Sequence, residues 1–144
     1  MSTCTKIDLR IPSLPEFVAV ARLTVAAIAS RMDFPYDAVD DIKVAVGEAC
    51  TNAIEHAAPE DRQQETIELN CFVHPDALVI EVKDQGQGFV PEPNTEPDPL
   101  SEGGLGLILI QALMDEMQVE SLPGRGTMVR MKKCLRAATV ATEK

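Results

Sequence analysis

The chain has no tryptophan, and aromatic residues make up 3% of its 144 residues, so any core must be built from aliphatic side chains: Ile, Val, Leu, Ala and Met. No run approaches the roughly 20 uncharged apolar residues of a membrane span. The opening MSTCTKIDLR lacks the apolar centre of a secretory signal. No membrane association and a cytoplasmic location are therefore expected. The four cysteines, Cys4, Cys50, Cys71 and Cys134, show neither CxxC nor Cys/His metal spacing, which fits reduced structural thiols rather than a metal site or a disulfide framework. Positive charge is also short. The net charge of −10 argues against direct nucleic-acid binding and favours a protein partner with basic patches. Between Asp84 and Gly124 there is no Lys or Arg at all. A phosphate held by that segment must rely on backbone N–H groups, a metal ion, or a base from elsewhere, with Lys83 and Arg125 at its two edges.

The length suits one domain, spanning 1–144, and 45% hydrophobic content suits a folded one. The alternation in KIDLRI predicts a half-buried strand. Ser13 with Glu16 has capping-box spacing and Pro15 suits a first turn, so a helix follows over about 16–31. Between Phe17 and Ala29 only Arg22 and Thr24 of that helix are polar, too few for a helix with one buried face. Its second side is either a surface for self-association or a partner, or simply apolar. Asp33 is placed to cap a second helix running to about 58, where Ile42, Val46, Ala49, Ala53 and Ala57 form one apolar face. Strands are expected at TIELNCFV and ALVIEVKD, joined in a hairpin, and at MQVESL and TMVRMKK across the turn PGRG. A helix is expected over about 105–114. The glycine- and proline-rich stretch at about 87–102 reads as a lid loop, and 137–144 as a frayed tail.

Three short segments carry the chemistry: EACTNAIEH at 48–56, DQGQGF at 84–89 and EGGLGL at 102–107. Glu48 and Asn52 stand four apart, one above the other on a helix. An amide oxygen is a hard ligand of the kind Mg²⁺ accepts, and a carboxylate one turn away can take a proton from an attacking hydroxyl. The plain alternative is that both face solvent. His56, one turn further, reads as a C-terminal cap rather than a ligand. Asp84 at a strand end can accept from an exocyclic amine such as that of adenine, and Gly86 and Gly88 let a flat ring approach the backbone, although a plain turn also explains them. Gly103, Gly104 and Gly106 enter a helix, where N–H groups and the helix dipole can hold phosphates. There is no GK[ST], so this is not a P-loop. Gly126 and Thr127 enter the last strand, adding a hydroxyl within reach of a base, or a plain turn.

In this order the segments resemble the N box and glycine boxes of the GHKL ATPase superfamily. VGEACTNAIEHA and LSEGGLGLILIQALMDE more closely resemble the bacterial anti-sigma-factor serine kinases of the RsbW and SpoIIAB type, over nearly the whole chain. The resemblance implies a Bergerat-type fold: a two-layer α/β (α+β) sandwich with a mixed, mostly antiparallel sheet and helices on one face. It implies ATP with Mg²⁺ as cofactors and a homodimer. It implies two partners: a sigma factor, sequestered from RNA polymerase, and an anti-anti-sigma antagonist, phosphorylated on serine. By position, Glu48 would be the catalytic base and Asn52 the Mg²⁺ ligand. Asp84, Gly86, Gly88, Gly103, Gly104, Leu105, Gly106 and Thr127 would contact the nucleotide, and Arg22 the partner. A sigma-B-like general stress factor is the expected target. The lid departs from the superfamily in offering the phosphates no Lys or Arg, which keeps open a nucleotide-gated binding module without phosphoryl transfer, or another GHKL-type or histidine-kinase-like domain.

Overall fold

The computed structural model describes residues 4–56, 65–84, 104–122 and 126–135. The lid at 87–102 and the tail at 137–144 lie outside them. Strand β1 (Thr5–Pro12) leads through a 3-10 turn (Pro15–Phe17) into helices α1 (Val18–Arg31) and α2 (Tyr36–His56). Strands β2 (Thr66–His74) and β3 (Ala77–Asp84) follow, then α3 (Gly104–Leu113), β4 (Glu116–Leu122) and β5 (Gly126–Cys134). The sheet order is β1-β2-β3-β5-β4, and each of its ladders is antiparallel. It is a two-layer sandwich, as expected, with the helices against one face of the sheet.

Strand alternation decides which side chains meet those helices. Leu69 and Cys71 of β2, Leu78, Ile80 and Val82 of β3, and Val129 and Met131 of β5 are buried with Ile42, Val46, Ala49 and Ala53 of α2. A core poor in aromatics, with Phe34 buried among aliphatic side chains, closes because alanines bring the layers together. Ala21 and Ala29 of α1 and Ala45 and Ala49 of α2 are buried where larger side chains would hold the helices apart. Each fully buried Ile, Leu or Val contributes about 1.5–3 kcal/mol of transfer free energy. Helix α2 is the hub, packing on α1, α3, β3 and β5.

The other sheet face carries ion pairs beside buried Ala77 and Val79. Lys83 and Arg130 both reach Glu81, at 3.4 and 4.0 Å, and Lys132 reaches Glu116 at 3.8 Å. Asn70 is buried there and donates through Nδ2 to Asp8 Oδ1 (2.6 Å) and Glu68 Oε2 (3.2 Å). Lys133 points the opposite way, toward the helices. Its Nζ donates to the Leu113 carbonyl at 2.6 Å, capping α3, and pairs with Asp41 of α2 at 3.3 Å.

Two helix signals resolve differently from the sequence reading. Ser13 does not cap α1: it is buried, and its N–H donates to the Glu65 carbonyl at 3.0 Å, tying the end of β1 to the segment before β2. Pro15 does stand in the first turn. Asp33 takes a left-handed backbone (φ 67°) and ends α1 instead of starting α2. Its N–H donates to Ser30 O (3.0 Å) and the N–H of Phe34 to Ala29 O (3.1 Å), the two bonds of a Schellman motif. An aspartate replaces the usual glycine there because its short side chain tolerates positive φ.

Burial pushes the Cys50 thiol up to about 12 from 9.0, against an opposing pull from Arg22, and the Cys71 thiol up to about 11, with Asp8 adding to the rise. The unfolded chain therefore loses these protons first as pH rises. Stability present below pH 9 should fall between pH 9 and about 11 to 12. A thiol reagent at pH 8 should label partly exposed Cys4 and Cys134 quickly, and Cys50 and Cys71 only after denaturant is added. Rapid labelling of all four in the native protein would contradict this burial.

Candidate functional site

Helix α2 turns Glu48 and Asn52 toward α3. Glu48 is half-buried, and Asn52 is 5% exposed. Gly106, in the first turn of α3, faces both. A Cβ built on it would stand 3.0 Å from Glu48 Oε1, 3.3 Å from Asn52 Oδ1 and 3.4 Å from Asn52 Nδ2. Any side chain would fill the space in front of the carboxylate and the amide, so glycine keeps them accessible to each other and to the helix N-terminus. Among the described residues Asn52 Nδ2 is buried with no hydrogen-bond partner. An orphaned buried donor costs about 1–3 kcal/mol unless something satisfies it. An acceptor-rich ligand such as a phosphate would.

At the other end of this groove, Asp84 closes β3 with 9% exposure. Its Oδ1 accepts the N–H of Thr127 at 3.1 Å. That approach is possible because Gly126 sits at φ 96°, where a Cβ would collide with the Asp84 carbonyl oxygen. Thr127 is also buried, and its hydroxyl lies 3.3 Å from that of Ser121 across the β4–β5 hairpin. Asn52, Ala53, Asp84, Leu107, Thr127 and Val129 enclose a cavity of about 20 Å³. That is room for one water.

A larger cavity of about 290 Å³ lies away from this groove, beside His74, Asp76, Glu116, Arg130 and Lys132. Its charges are of both signs, and it contains none of the residues singled out in the sequence. Size does not make it the site.

The structure thus brings together Glu48, Asn52 and Gly106 at one end of the groove and Asp84 with Thr127 at the other, with Asn52 lining the cavity they share. Gly104 opens α3. Leu105 turns its side chain to solvent, so its contribution to any ligand comes from its backbone N–H. Gly86, Gly88, Gly103 and Arg125 lie outside the described residues. Lys83 does not serve this site. With Asp84 facing the helices, the residue before it must face the other way, and Lys83 is paired with Glu81 on the outer face. Arg22 is exposed on α1, as are Val20 and Leu23, and Phe17 just before the helix is exposed as well. Ser121 was missed in the sequence. Its signal was there: it continues the inward register of Met117 and Val119 as a polar residue on an apolar face. Among the described residues no three His, Cys, Asp or Glu side chains gather as a metal cluster, and no helix is long and apolar enough to cross a membrane.

Residues 11–133 match the model of the histidine kinase-like ATPase domain. The chain is 40% identical to the serine-protein kinase RsbW of Bacillus subtilis, covering 93% of this chain and 88% of that protein. It is 38% identical to the serine-protein kinase RsbW of Oceanobacillus iheyensis, over 92% and 89%. Among solved structures it resembles the RsbU and RsbW domains of a Mycobacterium tuberculosis protein, with a TM-score of 0.68 over 90% of this chain and 31% of that one, at 17% identity. It also resembles a blue-light activated histidine kinase of Erythrobacter litoralis, with a TM-score of 0.58 over 76% and 34%, at 30% identity.

Gly126→Ala should be severely destabilising, by about 3 kcal/mol or more, since backbone strain at positive φ adds to a collision with the Asp84 carbonyl. Urea denaturation would measure it. An unchanged midpoint would mean that the β3–β5 approach is not as close as described.

Proposed function

This chain belongs to the histidine kinase-like ATPase domain family and is an ATP-dependent serine-protein kinase of the RsbW type; we propose that it transfers the γ-phosphoryl group of ATP to a serine of an anti-anti-sigma protein and otherwise holds a sigma factor away from RNA polymerase. The observation that carries this reading is the meeting of Glu48, Asn52 and Gly106, with an unpartnered Asn52 amide nitrogen, at the first turn of α3.

Asp84 would receive the adenine amino group, with its carboxylate already oriented by Thr127 N–H. The first turn of α3, opened by Gly104, Leu105 and Gly106, would present N–H groups to the phosphates. Asn52 suits Mg²⁺ through Oδ1, because this ion binds through one or two protein groups plus phosphate oxygens and needs no cluster of carboxylates. When bound, it would neutralise phosphate charge and hold the γ-phosphoryl group in line. Glu48 would take the proton of the incoming serine hydroxyl as its oxygen bonds phosphorus and the bridge to the β-phosphate breaks, leaving ADP. Gly86, Gly88 and Gly103 complete the proposed cradle.

Val20 and Leu23 of α1, with Phe17 just before it, are exposed and apolar, and Arg22 is an exposed cation of the same helix, features suited to a protein partner. The net charge of −10 suits the basic surface of a sigma factor and disfavours direct nucleic-acid contact. We take the sigma factor to be a sigma-B-like general stress factor, and the kinase to act as a cytoplasmic homodimer. A second reading, a nucleotide-gated sigma-binding module without transfer, draws support from Lys83. Facing away, it leaves the phosphates without the cation expected of it.

Labelled ATP, Mg²⁺ and the antagonist protein separate the two readings, since only the kinase yields phosphoserine. Glu48→Gln should lower transfer roughly a hundredfold or more with nucleotide affinity kept. Transfer at the wild-type rate would remove Glu48 as base. Asn52→Ala should weaken Mg·ATP binding tenfold or more while the melting temperature changes little, because an orphaned donor is removed along with the ligand oxygen. Unchanged affinity would contradict the metal role.

A further inference from the structure

Gly47 stands inside the 21-residue helix α2, where glycine is a weaker helix former than alanine. Backbone conformation does not call for it, since its φ is not positive. What fills the place of its side chain is Arg22. A Cβ on Gly47 would stand 2.7 Å from Arg22 Nε, 3.3 Å from Nη2 and 3.4 Å from Cζ. The guanidinium therefore lies along the α2 backbone, and its charge is felt at Cys50, one turn further on.

The next residue of α2 is Glu48. Of the cations on the sheet, Lys133, Lys83, Arg130 and Lys132 are committed elsewhere, whereas among the described residues Lys43 of α2 and Arg31 of α1 have no ion pair. Lys133 is tied to Asp41 and the Leu113 carbonyl, while Lys83, Arg130 and Lys132 are paired on the outer face of the sheet. Arg22 remains exposed on α1, a helix that also exposes Val20 and Leu23 elsewhere on its surface. One exposed cation of α1 thus lies on the turn of α2 that carries the carboxylate of the site.

We propose that Gly47 is a positioning residue for the protein substrate: by lacking a Cβ it seats Arg22 on α2, holding the cation that meets the partner in register with Glu48. This rests on the kinase reading above. A partner that engages Arg22 is then delivered to Glu48 in one fixed geometry, and a displaced Arg22 loses that alignment while Asn52 and Asp84, which it does not touch, stay in place.

The variant Gly47→Ala is a suitable probe, because the three atoms nearest the added methyl all belong to the flexible Arg22 side chain. The full chain, Arg22→Ala, Gly47→Ala and the double variant would be compared with Mg·ATP and the anti-anti-sigma protein of the same organism as substrate. Gly47→Ala should raise the KM for that protein about tenfold, with the KM for ATP within about twofold of wild type. Added to Arg22→Ala, it should change neither KM beyond about twofold, and should raise the melting temperature by about 2–4 °C from helix propensity, which verifies folding. A loss of equal size in both backgrounds, or no loss in the wild-type background, would overturn the seat. If the wild-type chain yields no phosphoserine, the kinase reading fails instead, and the same four-way comparison on the Kd of the protein complex decides the seat: a Gly47 effect confined to the Arg22 background supports it, and an additive one overturns it.

Discussion

Where β3 ends, the Asp84 carbonyl lies against the Cα of Gly126 with no space for a side chain, and the Asp84 carboxylate takes the N–H of Thr127 at 3.1 Å. These two contacts join the end of one central strand to the start of the next, and much of the site follows from them. With Asp84 turned toward the helices, alternation turns Val82, Ile80 and Leu78 the same way, into the core beneath α2. The same alternation sends Lys83 and Glu81 to the outer face, where they pair. The cation-poor character of the groove is thus a matter of strand parity as well as composition.

Helix α2 transmits this placement because it serves three neighbours at once. Ile42, Val46, Ala49 and Ala53 rest on the sheet side, Gly47 receives Arg22 from α1, and Glu48 and Asn52 meet Gly106 of α3. Small residues make each approach possible, and a helix held on three sides has little freedom to rotate. Lys133 adds a polar tie by linking Asp41 of α2 to the end of α3. A surface fitted for a protein partner and a groove fitted for a nucleotide are therefore two faces of one rigid element.

Much of this was legible in the sequence. The apolar, β-branched runs TIELNCFV and ALVIEVKD, bounded by turn residues, placed β2 and β3 to within a residue. The four-residue spacing of Glu48 and Asn52 told correctly that they share a side of α2, while the groove they face depends on α3, which no local pattern locates. Helix-start signals at Ser13 and Asp33 misled for one reason. Each residue had a local role open to it and a tertiary one that won: Ser13 joins β1 to Glu65, and Asp33 closes α1. Lys83 looked available because distance along the chain hides the alternation of strand faces. Gly47 carried no signal at all, since only the packing of α1 on α2 brings Arg22 to it.

The central claim is that Glu48, Asn52 and Asp84 border a single nucleotide site. A crystal structure of the chain with Mg²⁺ and a non-hydrolysable ATP analogue tests it most directly. The account predicts the adenine amino group on Asp84, the metal on Asn52 Oδ1, and the γ-phosphate beside Glu48 at the first turn of α3. A nucleotide bound instead in the 290 Å³ cavity beside Arg130 and Lys132, with the Asn52 amide still unpartnered, would contradict it.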